Sequence, residues 1–265
     1  LGSLEGHPND VWGTTEYVSD TEPTVFMGLY GLNDFYNLWR HKGKKYIFWC
    51  GSDIRHFLEG YWLDETGKIK VIKEPFAEWI AQNCESWVEN QVEYDALKQV
   101  GIESHICPSF LGNVEDFHVQ YAWSARPKVY TMVSGDNFEL YGWHKIPELA
   151  KENLNIEFHL YGHTHLEPFV PKLGENVILH GRVPKEQMND EIRLMHGALR
   201  LTEFDGFSEI IAKSLLWGQW PVSSIPYKHT IHPDNISMLK DIQTPNDGGR
   251  QWLLSNVNKF PWNTK

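Results

Sequence analysis

The chain has 265 residues, which is enough for one large domain or two modest ones with hydrophobic cores. Its composition, 41% hydrophobic and 22% charged without a low-complexity tract, is that of a soluble globular protein. The net charge of −11 argues against nucleic acid as the main ligand. No apolar run approaches the roughly 18 residues that a membrane-spanning helix needs.

The three cysteines, Cys50, Cys84 and Cys107, are scattered and show no CxxC spacing. This pattern favours reduced thiols over a disulfide framework or a zinc site. We therefore expect a cytoplasmic protein without a transmembrane segment.

Strand-like and helix-like segments alternate along the first half of the chain, which is typical of an α/β domain. The predicted strands are residues 24–29, 45–50, 86–88 and 102–107. The predicted helices are residues 34–40, 77–80 and 91–100, and Gly101 is expected to end the last of them.

The periodicity lapses between residues 112 and 127 and then resumes, which indicates a domain boundary. The later predicted strands are residues 128–133, 156–161, 177–179, 199–202 and 221–224, and the later helices are residues 143–152, 185–195, 209–217 and 251–257. We expect two doubly wound lobes, residues 20–120 and 121–235, facing a central cleft, with a tail of residues 236–265 able to pack back on the first lobe.

A metal-dependent hydrolase is one alternative. Gly162-His163-Thr164-His165 matches the last metal-binding segment of calcineurin-like metallophosphoesterases, and Asp116-Phe117-His118 and Gly135-Asp136-Asn137 resemble earlier segments. Such a site needs His, Asp and Asn ligands that converge on two metal ions. The Gly-Asn-His-Asp/Glu segment is absent and the three fragments lie within fifty positions, so His163 and His165 fit a loop or a cleft wall better.

Trp49-Cys50-Gly51-Ser52-Asp53 stands at the carboxyl end of a predicted buried strand. Asp53 is therefore a candidate catalytic base facing the cleft. An ordinary strand-to-helix turn with a capping Ser or Asp explains the same residues equally well.

The turn Asp205-Gly206-Phe207-Ser208 lies between a predicted strand and a predicted helix, where backbone N–H groups and the helix dipole can bind a diphosphate. The surrounding segments, EFHLYG at 157–162, NVILHGRV at 176–183 and LRLTEFDGFS at 199–208, are followed by Gly218-Gln219-Trp220-Pro221-Val222. In this order they resemble the donor-binding lobe of GT-B glycosyltransferases, in particular the retaining family 4.

The resemblance implies a metal-independent enzyme without a resident cofactor. It would move a sugar from a nucleotide-diphosphate sugar to an acceptor hydroxyl, with retention at the anomeric carbon. Asp205 would contact the sugar hydroxyls, and the amides of Gly206, Phe207 and Ser208 would meet the phosphates. The acceptor, a carbohydrate, a lipid-linked compound or a small molecule, is not specified by the sequence.

Further donor contacts are inferred at the ends of the other strands. The candidates are Gly135, Gly162, Lys145, Arg182, Glu203 and Glu209. Lys145 and Arg182 would bind phosphate, for which a guanidinium is the better geometric match. Arg200 is a further cation within this lobe. Glu203 and Glu209 are candidates for the ribose hydroxyls.

Lys213 departs from the family pattern, which has two Glu separated by seven residues. Asp205 occupies the first position, and Lys213 occupies the second. An ammonium cannot accept a hydrogen bond from ribose. Five explanations stay open: another residue holds the ribose, Lys213 faces a phosphate, the donor is unusual, catalysis is lost, or Lys213 faces solvent on its helix. A catalytically impaired nucleotide-binding protein is therefore the main rival interpretation.

Overall fold

The computed structural model describes residues 6–64, 67–133, 137–162 and 173–263. The chain divides into two compact units. The N-terminal unit comprises residues 6–111, 204–207 and 256–263, and the C-terminal unit comprises residues 112–203 and 208–255. The division after residue 111 comes earlier than the expected boundary after residue 120, and the tail that was assigned as a separate segment is shared between the two units.

The N-terminal unit is built on a four-stranded parallel sheet with the strand order β1-β2-β5-β6, and a separate antiparallel hairpin consists of β3 and β4. Its strands are β1 (Thr24–Met27), β2 (Lys45–Phe48), β3 (Tyr61–Asp64), β4 (Gly67–Lys70), β5 (Glu85–Val88) and β6 (Ser104–Ile106). Its helices are α1 (Pro8–Trp12), α2 (Leu32–Arg40), α3 (Ser52–Leu58), α4 (Lys73–Asn83) and α5 (Gln91–Lys98).

The C-terminal unit contains a five-stranded parallel sheet with the order β11-β10-β7-β8-β9. Its strands are β7 (Lys128–Met132), β8 (Glu157–Tyr161), β9 (Val177–Gly181), β10 (Gly197–Arg200) and β11 (Val222–Ser223). The α-helices that follow in the chain are α6 (Ile146–Glu152), α7 (Lys185–Ile192), α8 (Glu209–Leu216) and α9 (Asp247–Asn256). Short 3-10 helices span Val114–Asp116, Trp143–Lys145 and Pro233–Lys240.

Each unit has a hydrophobic core of its own. Trp49, Phe57 and Trp62 are fully buried in the N-terminal unit, and Val129 and Phe158 are fully buried in the C-terminal unit. Several strands of the two parallel sheets, such as β2 and β8, are buried and mainly apolar, which is why their positions could be predicted from apolar runs.

Helix α3 follows Gly51, in agreement with the alternative of a strand-to-helix turn at this place. The β3–β4 hairpin, which precedes α4, was not anticipated from the sequence. Hairpin strands with one exposed face carry weaker periodicity than the buried strands of the parallel sheet. In the described part of the chain, no helix combines the length and apolar character needed to cross a bilayer.

Candidate functional site

The carboxyl ends of β7, β8, β9 and β10 lie at one edge of the five-stranded sheet, because its strands are parallel. Ligands of open α/β sheets bind outside this edge. Gly162, a predicted donor-binding residue, follows β8 there with a φ of 105°. A Cβ at this position would stand 2.1 Å from the carbonyl oxygen of Val133, so glycine is needed where the ends of the two strands approach each other.

Two further predicted donor-binding residues pair with each other in this unit. Lys145 donates through Nζ to Oε1 of Glu203 at 2.7 Å. The Lys145 ammonium holds the pKa of Glu203 below its usual value. The Glu203 side chain is 83% exposed, and an ion pair this exposed contributes little to stability. Both side chains can therefore leave this ion pair and contact a ligand at a small cost in free energy.

Arg182 comes directly after β9, and its side chain is exposed. It is thus a cation at the carboxyl edge of the sheet. Arg200 lies within β10 and is largely buried, with its guanidinium carbon 4.2 Å from the centre of the Tyr141 ring. Of these two guanidinium groups, Arg182 is the one open to solvent.

Helix α8 begins at Glu209, immediately after Ser208. The carbonyl of Ser208 accepts the first hydrogen bond of the helix from the amide of Ala212 at 3.0 Å. Lys213 is completely buried in this helix, and its Nζ donates to Oδ1 of Asn189 in α7 at 3.2 Å. The interpretation of Lys213 as a solvent-facing residue is therefore wrong.

The turn that carries Asp205 is held by two consecutive residues that follow β5. Glu89 accepts through Oε2 from the amide of Phe207 at 2.9 Å. Asn90 donates through Nδ2 to the carbonyl oxygen of Asp205 at 2.8 Å. These contacts explain why residues 204–207 belong to the N-terminal unit while the chain on both sides of them belongs to the C-terminal unit.

Three buried carboxyl groups lie at the carboxyl edge of the N-terminal sheet. Burial raises the pKa of Glu89 to about 8 and that of Asp53 to about 6. Burial and the neighbouring Glu89 raise the pKa of Glu93 well above its usual range. Desolvation disfavours the charged form of a carboxyl group, so Glu89 and Glu93 favour the protonated form near neutral pH, whereas the lower pKa of Asp53 leaves its carboxyl group mainly ionised there.

Asp53 accepts hydrogen bonds from backbone amides of its own turn and of the segment that follows β1. Its Oδ1 accepts from the amides of Cys50 and Ile54, each at 2.9 Å, and its Oδ2 accepts from the amide of Leu29 at 3.0 Å. The side chain is fully buried. The prediction of Asp53 as a base that faces a cleft is thus corrected, because its oxygens organise the turn between β2 and α3.

A second group of titratable side chains lies on β8, β9 and α7. His159 and His180 share a contact of 2.8 Å between Nδ1 and Nε2. Tyr161 donates through its hydroxyl to Oε2 of Glu191 at 2.6 Å, and His180 stacks on the Tyr161 ring. Burial lowers the pKa of His159 to about 4 and also lowers that of His180.

No protein-family model and no curated protein matches this chain. Solved structures do match it at low identity. The structure of a TarM mutant from S. aureus in complex with fondaparinux, alpha-GlcNAc-glycerol and UDP is 15% identical, with a TM-score of 0.59, and the match covers 90% of this chain and 53% of TarM. Sucrose-phosphate synthase from Thermosynechococcus elongatus is 12% identical, with a TM-score of 0.60 and coverage of 84% and 67%.

A third structure, Anabaena HepE in complex with UDP and glucose, is 9% identical, with a TM-score of 0.50 and coverage of 83% of this chain and 73% of HepE. The fold is that of GT-B glycosyltransferases. The α/β, GT-B-like fold class that was expected from the sequence is confirmed. The chain spans about half the length of TarM.

Within the GT-B fold, one expected donor contact requires correction. The amide of Phe207 was expected to meet a phosphate, but it donates to the Glu89 carboxyl group. Gly206 is buried beside the same group, since a Cβ on Gly206 would stand 2.1 Å from Oε2 of Glu89.

Some predicted residues lie outside the described part of the chain. These are Gly135, Asp136, His163 and His165. Among the residues that are described, no group of three or more His, Cys, Asp or Glu side chains is arranged to hold a metal ion.

Glu89 and Asn90 were missed by the sequence analysis. A Glu-Asn pair directly after a predicted strand of a parallel sheet was a usable signal, because the carboxyl ends of such strands form ligand sites. Their contact with a turn more than one hundred positions away has no local signature.

Proposed function

We propose that this protein binds a nucleotide-diphosphate sugar at the carboxyl edge of the five-stranded sheet and transfers the sugar to an acceptor hydroxyl. One observation supports this most strongly. Arg182, the Lys145–Glu203 pair and the first turn of α8 all follow strands or loops of that sheet in a fold shared with TarM. The TarM and HepE structures contain UDP, which makes a uridine nucleotide the first donor to test.

The diphosphate would be bound by the amino end of α8 and by cationic side chains. Backbone N–H groups at the amino end of a helix and the positive end of its dipole favour an anion at this position. The Arg182 guanidinium would add charge-assisted hydrogen bonds. Lys145 would turn from Glu203 to a phosphate oxygen, which frees the Glu203 carboxylate to accept from a ribose hydroxyl.

Asp205 would accept hydrogen bonds from the sugar hydroxyls, because it immediately precedes the turn that leads into α8. The acceptor oxygen would form a bond to the anomeric carbon with retention of configuration. The bond from that carbon to the diphosphate oxygen would break with its electron pair on the diphosphate, and the acceptor proton would pass to the departing diphosphate. Charge that develops on the leaving group would be stabilised by the helix amides and the cations.

The proposal includes no resident cofactor and no metal ion, since fixed positive charge from the protein would serve the leaving group. A chelator such as EDTA should then leave turnover unchanged. The acceptor class stays open between a carbohydrate, a lipid-linked compound and a small molecule. The matched glycosyltransferase structures favour glycosyl transfer over the metallophosphoesterase alternative.

Calorimetric titration with UDP tests the donor site. Replacing Arg182 with Ala should weaken UDP binding about tenfold or more, because one charge-assisted hydrogen bond contributes roughly 1.5–3 kcal/mol. The matched control is Arg126→Ala, since Arg126 precedes β7 and therefore stands at the opposite, amino edge of the same sheet. Absence of UDP binding at millimolar concentration, or equal losses in both variants, would contradict the proposed donor site.

A further inference from the structure

Two adjacent residues of the N-terminal unit form hydrogen bonds with the backbone of the Asp205-Gly206-Phe207 turn. The Glu89 carboxyl accepts the Phe207 N–H at 2.9 Å, and the Asn90 amide donates to the Asp205 carbonyl at 2.8 Å. One donor and one acceptor of the turn are thus both satisfied. A backbone that is paired at both ends in a buried setting has little freedom to reorient.

The side chains of Glu89 and Asn90 are themselves held by further hydrogen bonds. Glu89 accepts through Oε1 from the backbone amide of Ser109 at 3.1 Å, and its own amide donates to Oε2 of Glu93 at 2.8 Å. Asn90 caps α5 by accepting through Oδ1 from the amide of Glu93 at 3.1 Å. Each of the two side chains therefore has contacts on both of its ends, and neither can turn away without breaking a buried hydrogen bond.

The turn is tightly packed at two glycines. A Cβ on Gly206 would stand 2.1 Å from Oε2 of Glu89. A Cβ on Gly51, whose φ is 84°, would stand 3.1 Å from the amide nitrogen of Gly206. Two glycines, one in the turn and one after β2, therefore permit the approach of two backbone segments that are distant in sequence.

We propose that Glu89 and Asn90 are positioning residues, which form a socket that fixes the backbone of Asp205 and thereby the place and Cα–Cβ direction from which its carboxylate extends. Neither residue touches the donor; both act through the turn. The consequence for the sugar rests on the proposed function, in which Asp205 meets the sugar hydroxyls. The socket itself is independent of that function, because its contacts exist without a ligand.

The first test concerns the socket alone and needs no ligand. Hydrogen exchange at the Phe207 amide should be at least about tenfold faster in Glu89→Ala, because loss of the acceptor removes its hydrogen bond. Gly206→Ala should lower Tm strongly in the native background and much less in the Glu89→Ala background, where the obstructing oxygen is absent. Gly248→Ala is the control, since its Cβ would meet only ordinary contacts of 3.4 Å and more.

The second test concerns the sugar and uses Asn90→Ser, which keeps a capping oxygen for α5 but loses the reach to the Asp205 carbonyl. We expect the affinity for UDP-glucose and UDP-N-acetylglucosamine to fall about tenfold relative to the affinity for UDP. A protein whose cap is merely weakened would lose affinity for all three ligands alike. This variant also serves if Glu89→Ala does not fold.

The outcomes separate the two claims. Unchanged exchange at the Phe207 amide in Glu89→Ala, or equal costs of Gly206→Ala in both backgrounds, would overturn the socket. Faster exchange together with no binding of any UDP compound would support the socket and contradict the proposed function. A uniform loss of affinity for UDP and its sugars in Asn90→Ser would overturn the role of the socket in sugar recognition.

Discussion

Lys213 in α8 donates through its ammonium to Oδ1 of Asn189 in α7, at 3.2 Å. The lysine is fully buried, so its nitrogen bridges two helices of the C-terminal unit. A buried ammonium needs hydrogen-bond acceptors to offset the loss of hydration. Lys213 is therefore part of the packing between α7 and α8 rather than a surface residue.

We predict that Lys213→Glu lowers the free energy of unfolding by about 3 kcal/mol or more, because it places a carboxylate opposite the Asn189 oxygen in a buried site. Lys213→Met should cost less, since it removes the charge and keeps most of the volume. Denaturant unfolding provides the measurement. Lys240→Glu is the control on an exposed site and should stay within about 0.5 kcal/mol of the native protein. Equal effects at positions 213 and 240 would contradict the structure.

The raised pKa of Glu89 predicts a decline of stability as the solution becomes more alkaline. Its folded-state pKa of about 8 exceeds the ordinary value of 4.5, so the folded protein holds a proton that the unfolded chain has released between these values. The contribution of Glu89 to the free energy of unfolding is complete below pH 4.5 and is lost as pH rises through 8, with a slope of up to about 1.4 kcal/mol per pH unit. Glu93 acts in the same direction.

Glu89→Gln should reduce this slope between pH 6.5 and pH 8, where Asp53, with a pKa of about 6, contributes less. Denaturant unfolding at several pH values gives the slope. Glu74→Gln, an exposed carboxyl on α4, serves as the control and should leave the slope unchanged. A native protein that is as stable at pH 8 as at pH 6.5 would argue against a protonated Glu89.

The His159–His180 pair predicts the opposite trend in acid. The folded-state pKa of His159 is about 4, below the ordinary value of 6.5. Between these values the unfolded chain binds a proton at His159 that the folded protein does not bind. The contribution of His159 to the free energy of unfolding is complete above pH 6.5 and is lost as pH falls toward 4, by up to about 1 kcal/mol per pH unit. Glu157, whose Oε2 lies 3.5 Å from Nε2 of His159, offsets part of this effect.

His159→Gln should therefore be less sensitive to acid than the native protein when Tm is compared at pH 5 and pH 7. His118→Gln removes an exposed histidine of the same unit and should retain the native sensitivity. If both variants lose Tm in acid as steeply as the native chain, His159 is not the group that titrates.

The strands of both parallel sheets could be predicted from the sequence because buried strands carry continuous apolar runs. Gly101 also ends the helical segment of α5 as expected, and its amide donates to the backbone carbonyl of Lys98. The role of Asp53 could not be predicted, since the sequence gives its place after a strand but not the direction of its oxygens. The contacts of Glu89 and Asn90 with residues 205–207 join segments that are distant in sequence, so local sequence patterns do not predict them.

The central claim is glycosyl transfer from a nucleotide-diphosphate sugar, and release of UDP from a panel of UDP-sugars with mixed acceptors tests it most directly. We predict UDP release from at least one donor, unaffected by EDTA and reduced at least about tenfold in Asp205→Asn, which loses the charged acceptor for sugar hydroxyls. The Arg126→Ala protein should release UDP at the native rate. Tight binding of UDP without turnover of any donor, or equal turnover in Asp205→Asn and the native protein, would contradict the account.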